Sequence, residues 1–256
     1  MTRLFIVGYG AVCYLVFLAV FAYSIGFVGD FVVPRTVDHG VDASMAEALI
    51  VNVVLLGLFA VQHSVMARPA FKRWWTRFVP TSVERSTYVL IASLVLALLF
   101  WQWRTMPATI WDLTWQPGRV ALWVIFAAGW ATVLLSTFLI SHVDLFGLRQ
   151  VYLAWRGVPY TNLRFRTSML YRAVRHPLML GFIIAFWAAP TMTAGHLLFA
   201  VATTGYILIA IRLEERDLTA ELGEQYRDYR SRVPMLVPGV HRRGNPRLPG
   251  ATARSA

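Results

Sequence analysis

Six stretches of this chain run for a dozen residues or more almost without charge, at 4–27, 48–66, 86–103, 120–140, 178–189 and 194–213. Five of them reach about 18 residues, near the length a helix needs to cross a hydrocarbon core of roughly 30 Å. In lipid only helices and closed barrels satisfy their own backbones. The runs are continuous rather than alternating, which selects helices over barrel strands. Composition agrees: 57% of residues are hydrophobic, 14% are charged and the mean hydropathy is +0.56, against roughly a quarter charged in a soluble domain. The expected fold is all-α, a polytopic integral membrane helical bundle with five to six membrane segments. The first run lacks a small-residue cleavage site and continues as a long apolar helix, so it is read as a span and not a signal peptide.

The uncertain count comes from 178–189, whose 12 residues rise only about 18 Å as a helix. It either crosses with help from its flanks or forms half of a re-entrant hairpin. The segment 141–175 carries Arg149, Arg156, Arg164, Arg166, Arg172 and Arg175 against one acid, Asp144. It is expected to lie on the membrane surface or to cover a site. Lys72, Arg73, Trp74, Trp75 and Arg77 follow the second run and read as an interfacial anchor.

The net charge is +11, and Lys72 is the only lysine among 24 basic residues. These cations sit between apolar runs with no nucleic-acid module around them. Positive-inside bias and anionic headgroups explain them more simply. The bias places the N-terminus, the 68–85 loop, the 141–175 stretch and the tail in the cytoplasm, in a bacterial inner membrane. That arrangement requires 178–213 to enter and return on one side. Cys13 is the only cysteine, which excludes an intrachain disulfide and a cysteine metal site.

Three C-terminal features carry chemistry. Arg175 and His176 precede Pro177 at a helix start, where Pro gives up an N–H that would be orphaned anyway. The free N–H groups and helix dipole there suit an anion, and Gly181 one turn on admits a ligand or a helix to the backbone. Glu214 and Glu215 follow at the end of the last apolar run. Adjacent carboxylates at a membrane boundary are costly unless solvated or paired, and a hairpin would bring them to Arg175 and His176. The third feature is the stretch 224–234, whose Tyr226 and Tyr229 could cap a pocket. Within the runs stand Asn52, Gln62 and His63, with His142 after the fourth. Six scattered histidines without an i,i+4 pair give no metal site. No phosphate-binding glycine loop or nucleophile elbow is present.

The ordered set Arg-His-Pro-x-x-x-Gly, hairpin, Glu-Glu and Tyr-x-x-Tyr-x-x-x-Val-Pro, over about 163–234, resembles the isoprenylcysteine carboxyl methyltransferase and phospholipid methyltransferase group. The stretches VPRTVD at 33–38, QHSVMARP at 62–69, DLFGLRQVY at 144–152, FRT at 165–167 and VPML at 233–236 resemble the bacterial methanethiol S-methyltransferases, which make dimethyl sulfide. The N-terminal half is also similar to NnrU-type membrane proteins. The resemblance implies S-adenosylmethionine as cofactor, in a C-terminal pocket at the cytoplasmic face. It implies that Tyr171, His176 and the turn through Pro177, Met179 and Gly181 hold the cofactor, that Glu214 takes its ribose or amino-acid end, and that Leu163, Arg164, Phe165 and Arg166 line the way in. The common motif has Tyr where this chain has Met179, so one hydroxyl contact would be lost. Ala210 stands where the prenylcysteine enzymes carry a substrate-binding Arg, which fits a small neutral thiol rather than a carboxylate.

The implied domain is one membrane methyltransferase unit over 1–238. It comprises four spans in 4–140, a cofactor-binding part in 141–238 with its hairpin at 177–213, and a disordered tail over 239–256. The implied reaction needs a thiolate. Arg175 and the sulfonium would favour it, and His142, His63 or a water would take the proton. The partners are a small thiol and membrane lipids, with no nucleic acid. Other acceptors (hydrogen sulfide, a prenylcysteine carboxylate or a phospholipid) and a non-catalytic NnrU-like role remain as alternatives from sequence alone.

Overall fold

The computed structural model describes residues 3–161, 167 and 169–239. Among these, five helices are long and apolar enough to cross a membrane: α1 (Arg3–Gly29), α2 (Met45–Ala67), α4 (Glu84–Gln102), α5 (Gln116–Ile140) and α10 (Ala194–Leu222). Shorter helices fill the connections: α3 (Pro69–Trp75), α6 (His142–Leu145), α7 (Leu148–Arg156), α8 (Leu170–Ala173), α9 (Pro177–Trp187) and α11 (Glu224–Arg232). This is the all-α multi-pass membrane bundle read from the sequence. One element was not foreseen. The connections 104–115 and 188–193 form a small antiparallel ribbon of β1 (Thr109–Asp112) and β2 (Thr191–Thr193).

Local chemistry sets the helix limits. Ser44 caps α2 by accepting the Glu47 N–H at 3.3 Å, in the Ser-x-x-Glu spacing of a capping box. Pro69 ends α2 and opens α3 as its first residue, where the missing N–H costs nothing. Thr193 caps α10 by accepting the His196 N–H at 3.1 Å. That helix outlasts the apolar run and stays regular through the charged residues to Leu222.

Lipid removes most of the hydrophobic drive between helices, so packing and hydrogen bonds set the arrangement. At one end the connection after α1 is laced to the bundle. Trp103 donates to the Val37 carbonyl at 3.0 Å, and Asn52 donates to the Arg104 carbonyl at 2.8 Å. Thr193 bonds Asp38, and β1 pairs β2. Beneath this lattice Phe27, Phe100, Trp103 and Phe199 form a buried aromatic cluster. At the opposite end Arg85 meets Asp144 at 2.9 Å and Arg68 meets Asp217 at 2.8 Å. Large apolar residues such as Val124 and Leu4 remain exposed on the outside, as lipid contact requires.

The short run becomes α9, whose 11 residues rise only about 16 Å. Its flank does the rest. Residues beyond Trp187 leave the helix, the Pro190 carbonyl accepts from the Leu113 N–H at 3.0 Å, and β2 joins β1 at the far end. The segment therefore reaches from the Arg68–Asp217 end to the ribbon end, and α10 returns alongside it. Gly181 of α9 lies against Gly129 of α5, where a Cβ on Gly181 would sit 2.8 Å from the Gly129 carbonyl oxygen. Small residues let the two backbones touch.

Candidate functional site

The hairpin of α9 and α10 brings the Arg-His-Pro turn to the glutamate pair. His176 sits just before α9 and is buried, with Nε2 3.1 Å from Glu215 Oε1 and Nδ1 3.6 Å from Glu214 Oε2. The Arg175 Nε donates to Glu215 Oε1 at 2.6 Å, and Arg230 of α11 approaches Glu215 Oε2 at 3.4 Å. Glu215 is thus enclosed by two guanidinium groups and an imidazole. Pairing offsets the cost of burying its charge.

Glu214 differs. Its side chain is 47% exposed, and among the described residues His176 is its only ion-pair partner. Successive helix positions point about 100° apart, so Glu215 faces α9 and α11 while Glu214 stays about half exposed beside His176. Arg68, at the end of α2, pairs with Asp217 on the turn after Glu214.

The stretch after α11 forms a strap over the start of α9. The Arg175 N–H donates to the Pro234 carbonyl at 2.9 Å and the His176 N–H donates to the Met235 carbonyl at 3.2 Å. Arg175 Nη1 adds bonds to the carbonyls of Arg230 and Val233. Two N–H groups that precede a helix start are thereby satisfied by backbone. Below the strap Leu236, Ile207 and Ile211 pack with Met179 and Leu180 in a separate apolar cluster.

Three tyrosines surround this junction. Tyr226 and Tyr229 of α11 are buried, and the Tyr229 hydroxyl donates to the Tyr171 carbonyl at 2.6 Å. Tyr171 itself, on α8, lies by Ser136 of α5 and feels the charge of Glu214. Burial raises the hydroxyls of Tyr171 and Tyr226, and pushes Tyr229 up to about 12. At neutral pH all three are hydrogen-bond donors and not bases.

The structure therefore gathers Tyr171, Arg175, His176, Pro177, Met179 and Glu214 at one end of the bundle. Gly181 lies one turn deeper, and what approaches it is helix α5. Leu163, Arg164, Phe165 and Arg166 fall outside the described residues. The two histidines named as thiol bases lie elsewhere. His142 Nε2 is 2.7 Å from the Tyr14 hydroxyl of α1 and its Nδ1 is 2.9 Å from Thr137. Burial lowers its pKa. His63 meets the Tyr88 hydroxyl of α4 at 3.0 Å. Its neighbour Ser64 bonds Tyr206 of α10 at 3.2 Å, so His63 lies on the helix that flanks α10, whereas His142 faces α1. Sequence reasoning missed the Arg68–Asp217 pair and Arg230. The motif at 62–69 held the signal for Arg68. Nothing in the sequence signalled Arg230 among so many arginines.

The chain is 68% identical over 242 residues to the methanethiol S-methyltransferase of Mycobacterium tuberculosis, covering 94% of this chain and 99% of that protein. It is 54% identical over 244 residues to methanethiol S-methyltransferase 2 of Bradyrhizobium diazoefficiens, covering 94% and 93%. It is also 31% identical over 187 residues to mouse Nurim, covering 69% and 70%. No family model and no solved structure matches it.

Proposed function

The chain belongs to the methanethiol S-methyltransferases and methylates that thiol; we propose that the methyl donor is S-adenosylmethionine, bound where Glu214 meets the Arg175–His176 turn. The observation that carries this placement is the contrast between the two glutamates. Glu215 is consumed by internal pairing, while Glu214 keeps an exposed carboxylate at the same junction.

The residues present suit such a donor. A carboxylate accepts hydrogen bonds from ribose hydroxyls or an ammonium, and charge-assisted bonds of this kind are the strong ones. Met179, partly exposed at the edge of the cluster around Ile207 and Ile211, offers apolar surface to a base. Tyr171 stays protonated and able to donate. When bound, the donor supplies a methyl group already activated by its sulfonium charge. The protein's task is then placement, because a displacement in line with the leaving sulfur depends on orientation. Arg175, His176 and Glu215 perform it by fixing the turn and the strap. Arg175 spends its guanidinium on Glu215 and two carbonyls, so it shapes the site and adds positive potential without touching the thiol. Of the two histidines, position favours His63 as acceptor of the thiol proton, because it lies on the helix flanking Glu214's helix. The single unit over 1–238 lies in the inner membrane with both termini in the cytoplasm. The charged donor then arrives from water, and the small apolar thiol arrives through lipid.

The test is headspace gas chromatography of dimethyl sulfide from purified protein supplied with methanethiol and S-adenosylmethionine, with donor affinity measured by calorimetry. Glu214→Ala should weaken donor binding about 10- to 100-fold, the value of one hydrogen bond to a charged group. A folded Glu214→Ala protein that bound the donor like the wild type would refute the placement.

A further inference from the structure

Among the described residues, no helix lies against one face of α10. Val201, Gly205, Ile209, Arg212, Arg216 and Ala220 are all exposed, at spacings of three and four that form a single stripe along a helix. Its first half is apolar, with Val201 52% and Ile209 56% exposed, and a Cβ on Gly205 would meet nothing within 4 Å. Its second half is cationic and opens into a cleft of about 650 Å³ in the angle between α10 and α11, where Arg227 and Arg230 join Arg212 and Arg216.

Charge in this cleft is unbalanced. Among the described residues its one lining carboxylate is Glu215, already held by Arg175 and His176. Among the described residues no ion pair involves Arg212. Arg216 has only Asp217 at 3.9 Å, Arg227 has an exposed Glu224 at 3.1 Å, and Arg230, half exposed, shares Glu215 at 3.4 Å with Arg175 and His176. Four guanidinium groups thus converge at the boundary where an apolar helix face turns polar. Guanidinium forks match phosphate oxygens in pairs, and basic pockets between helices at a membrane surface suit anionic headgroups.

We propose that the α10–α11 angle is a binding site for one anionic phospholipid, its phosphate among Arg212, Arg216, Arg227 and Arg230 and an acyl chain along Val201, Gly205 and Ile209. The apolar stripe selects a lipid over a free anion, because a soluble phosphate would leave that half of the surface unused. Bound lipid would tie α11 to α10 through Arg227 and Arg230, on the side of Glu215 opposite the turn. The site shares Glu215 and Arg230 with the network that fixes the donor-site turn, but it does not rest on the methyl-transfer reading.

The experiment is native mass spectrometry of protein released from nanodiscs of equal phosphatidylglycerol and phosphatidylcholine. Wild type should retain one phosphatidylglycerol per chain, at least tenfold over phosphatidylcholine. The double variant Arg212→Gln/Arg216→Gln should lose that preference while keeping wild-type helicity by circular dichroism. Arg227→Gln alone should lower it several-fold, which covers the case of a misfolded double variant. A parallel sample with millimolar inorganic phosphate separates the sources. Displacement of the lipid by phosphate alone would overturn the lipid site in favour of a soluble anion. Equal retention of the two lipids by wild type, or unchanged preference in both variants, would overturn it outright.

Discussion

Glu214 and Glu215 are sequence neighbours with opposite fates, and the difference should be measurable. Glu215 and Arg175 are both about nine-tenths buried, and removing one partner of a buried pair leaves the other charge uncompensated, at a cost of about 3–5 kcal/mol. Glu215→Ala is therefore expected to lower the melting temperature sharply in detergent. Glu215→Gln should lower it less, because the amide oxygen can still accept from Arg175. Glu214→Ala should melt like the wild type, since that side chain is half exposed and has one distant partner. His142 carries a pH effect of a different kind. Its folded pKa lies below the ordinary value, while the unfolded histidine takes up its proton near 6.5. As pH falls through that interval the unfolded chain binds more protons, and stability declines. Melting curves between pH 7.5 and 5 should show a shallower decline in His142→Gln than in wild type. The sequence revealed that two carboxylates at a membrane boundary need partners. It could not reveal which one is enclosed, because that depends on the rotation of α10 against α9 and on a strap sixty residues further along the chain than the turn.

At the scale of elements, α9 is the informative case. Its apolar run is too short to cross as a helix, and the sequence left two solutions open. The flank supplies the missing length by leaving the helix and pairing with β1, an outcome that hangs on a ribbon between residues distant in sequence. Short runs such as TIWD and TMT carry too little alternation to be recognised as strands. The same helix depends on its contact with α5. A side chain at Gly181 would strike the backbone of Gly129, and relieving such overpacking costs roughly 1–3 kcal/mol. Gly181→Ala should lower the melting temperature by several degrees. It should weaken donor binding as well, since Arg175 and His176 lie immediately before α9. Unchanged donor affinity by calorimetry, with lowered stability, would separate the seam from the site.

For the whole molecule, the long apolar runs fixed the number of long helices, and continuous hydrophobicity gave the type without ambiguity. The contacts then sort the described connections to two ends: 68–83, 141–161, 169–176 and 223–239 at one, 30–44, 103–115 and 188–193 at the other. The first set is rich in arginine, so reporters fused to either terminus should be active in the cytoplasm. A reporter inserted near Ala108 should be active on the opposite side. Opposite results for the two termini would break this topology. The strap carries a further consequence for biosynthesis. Its carbonyls at Pro234 and Met235 close on amides at 175 and 176, so nearly sixty residues must still leave the ribosome after the turn has been made. The turn inserted in the membrane is an unfinished half until residues 234 and 235 have been made, and a chain released just before them would have its spanning helices but not the strap over its site.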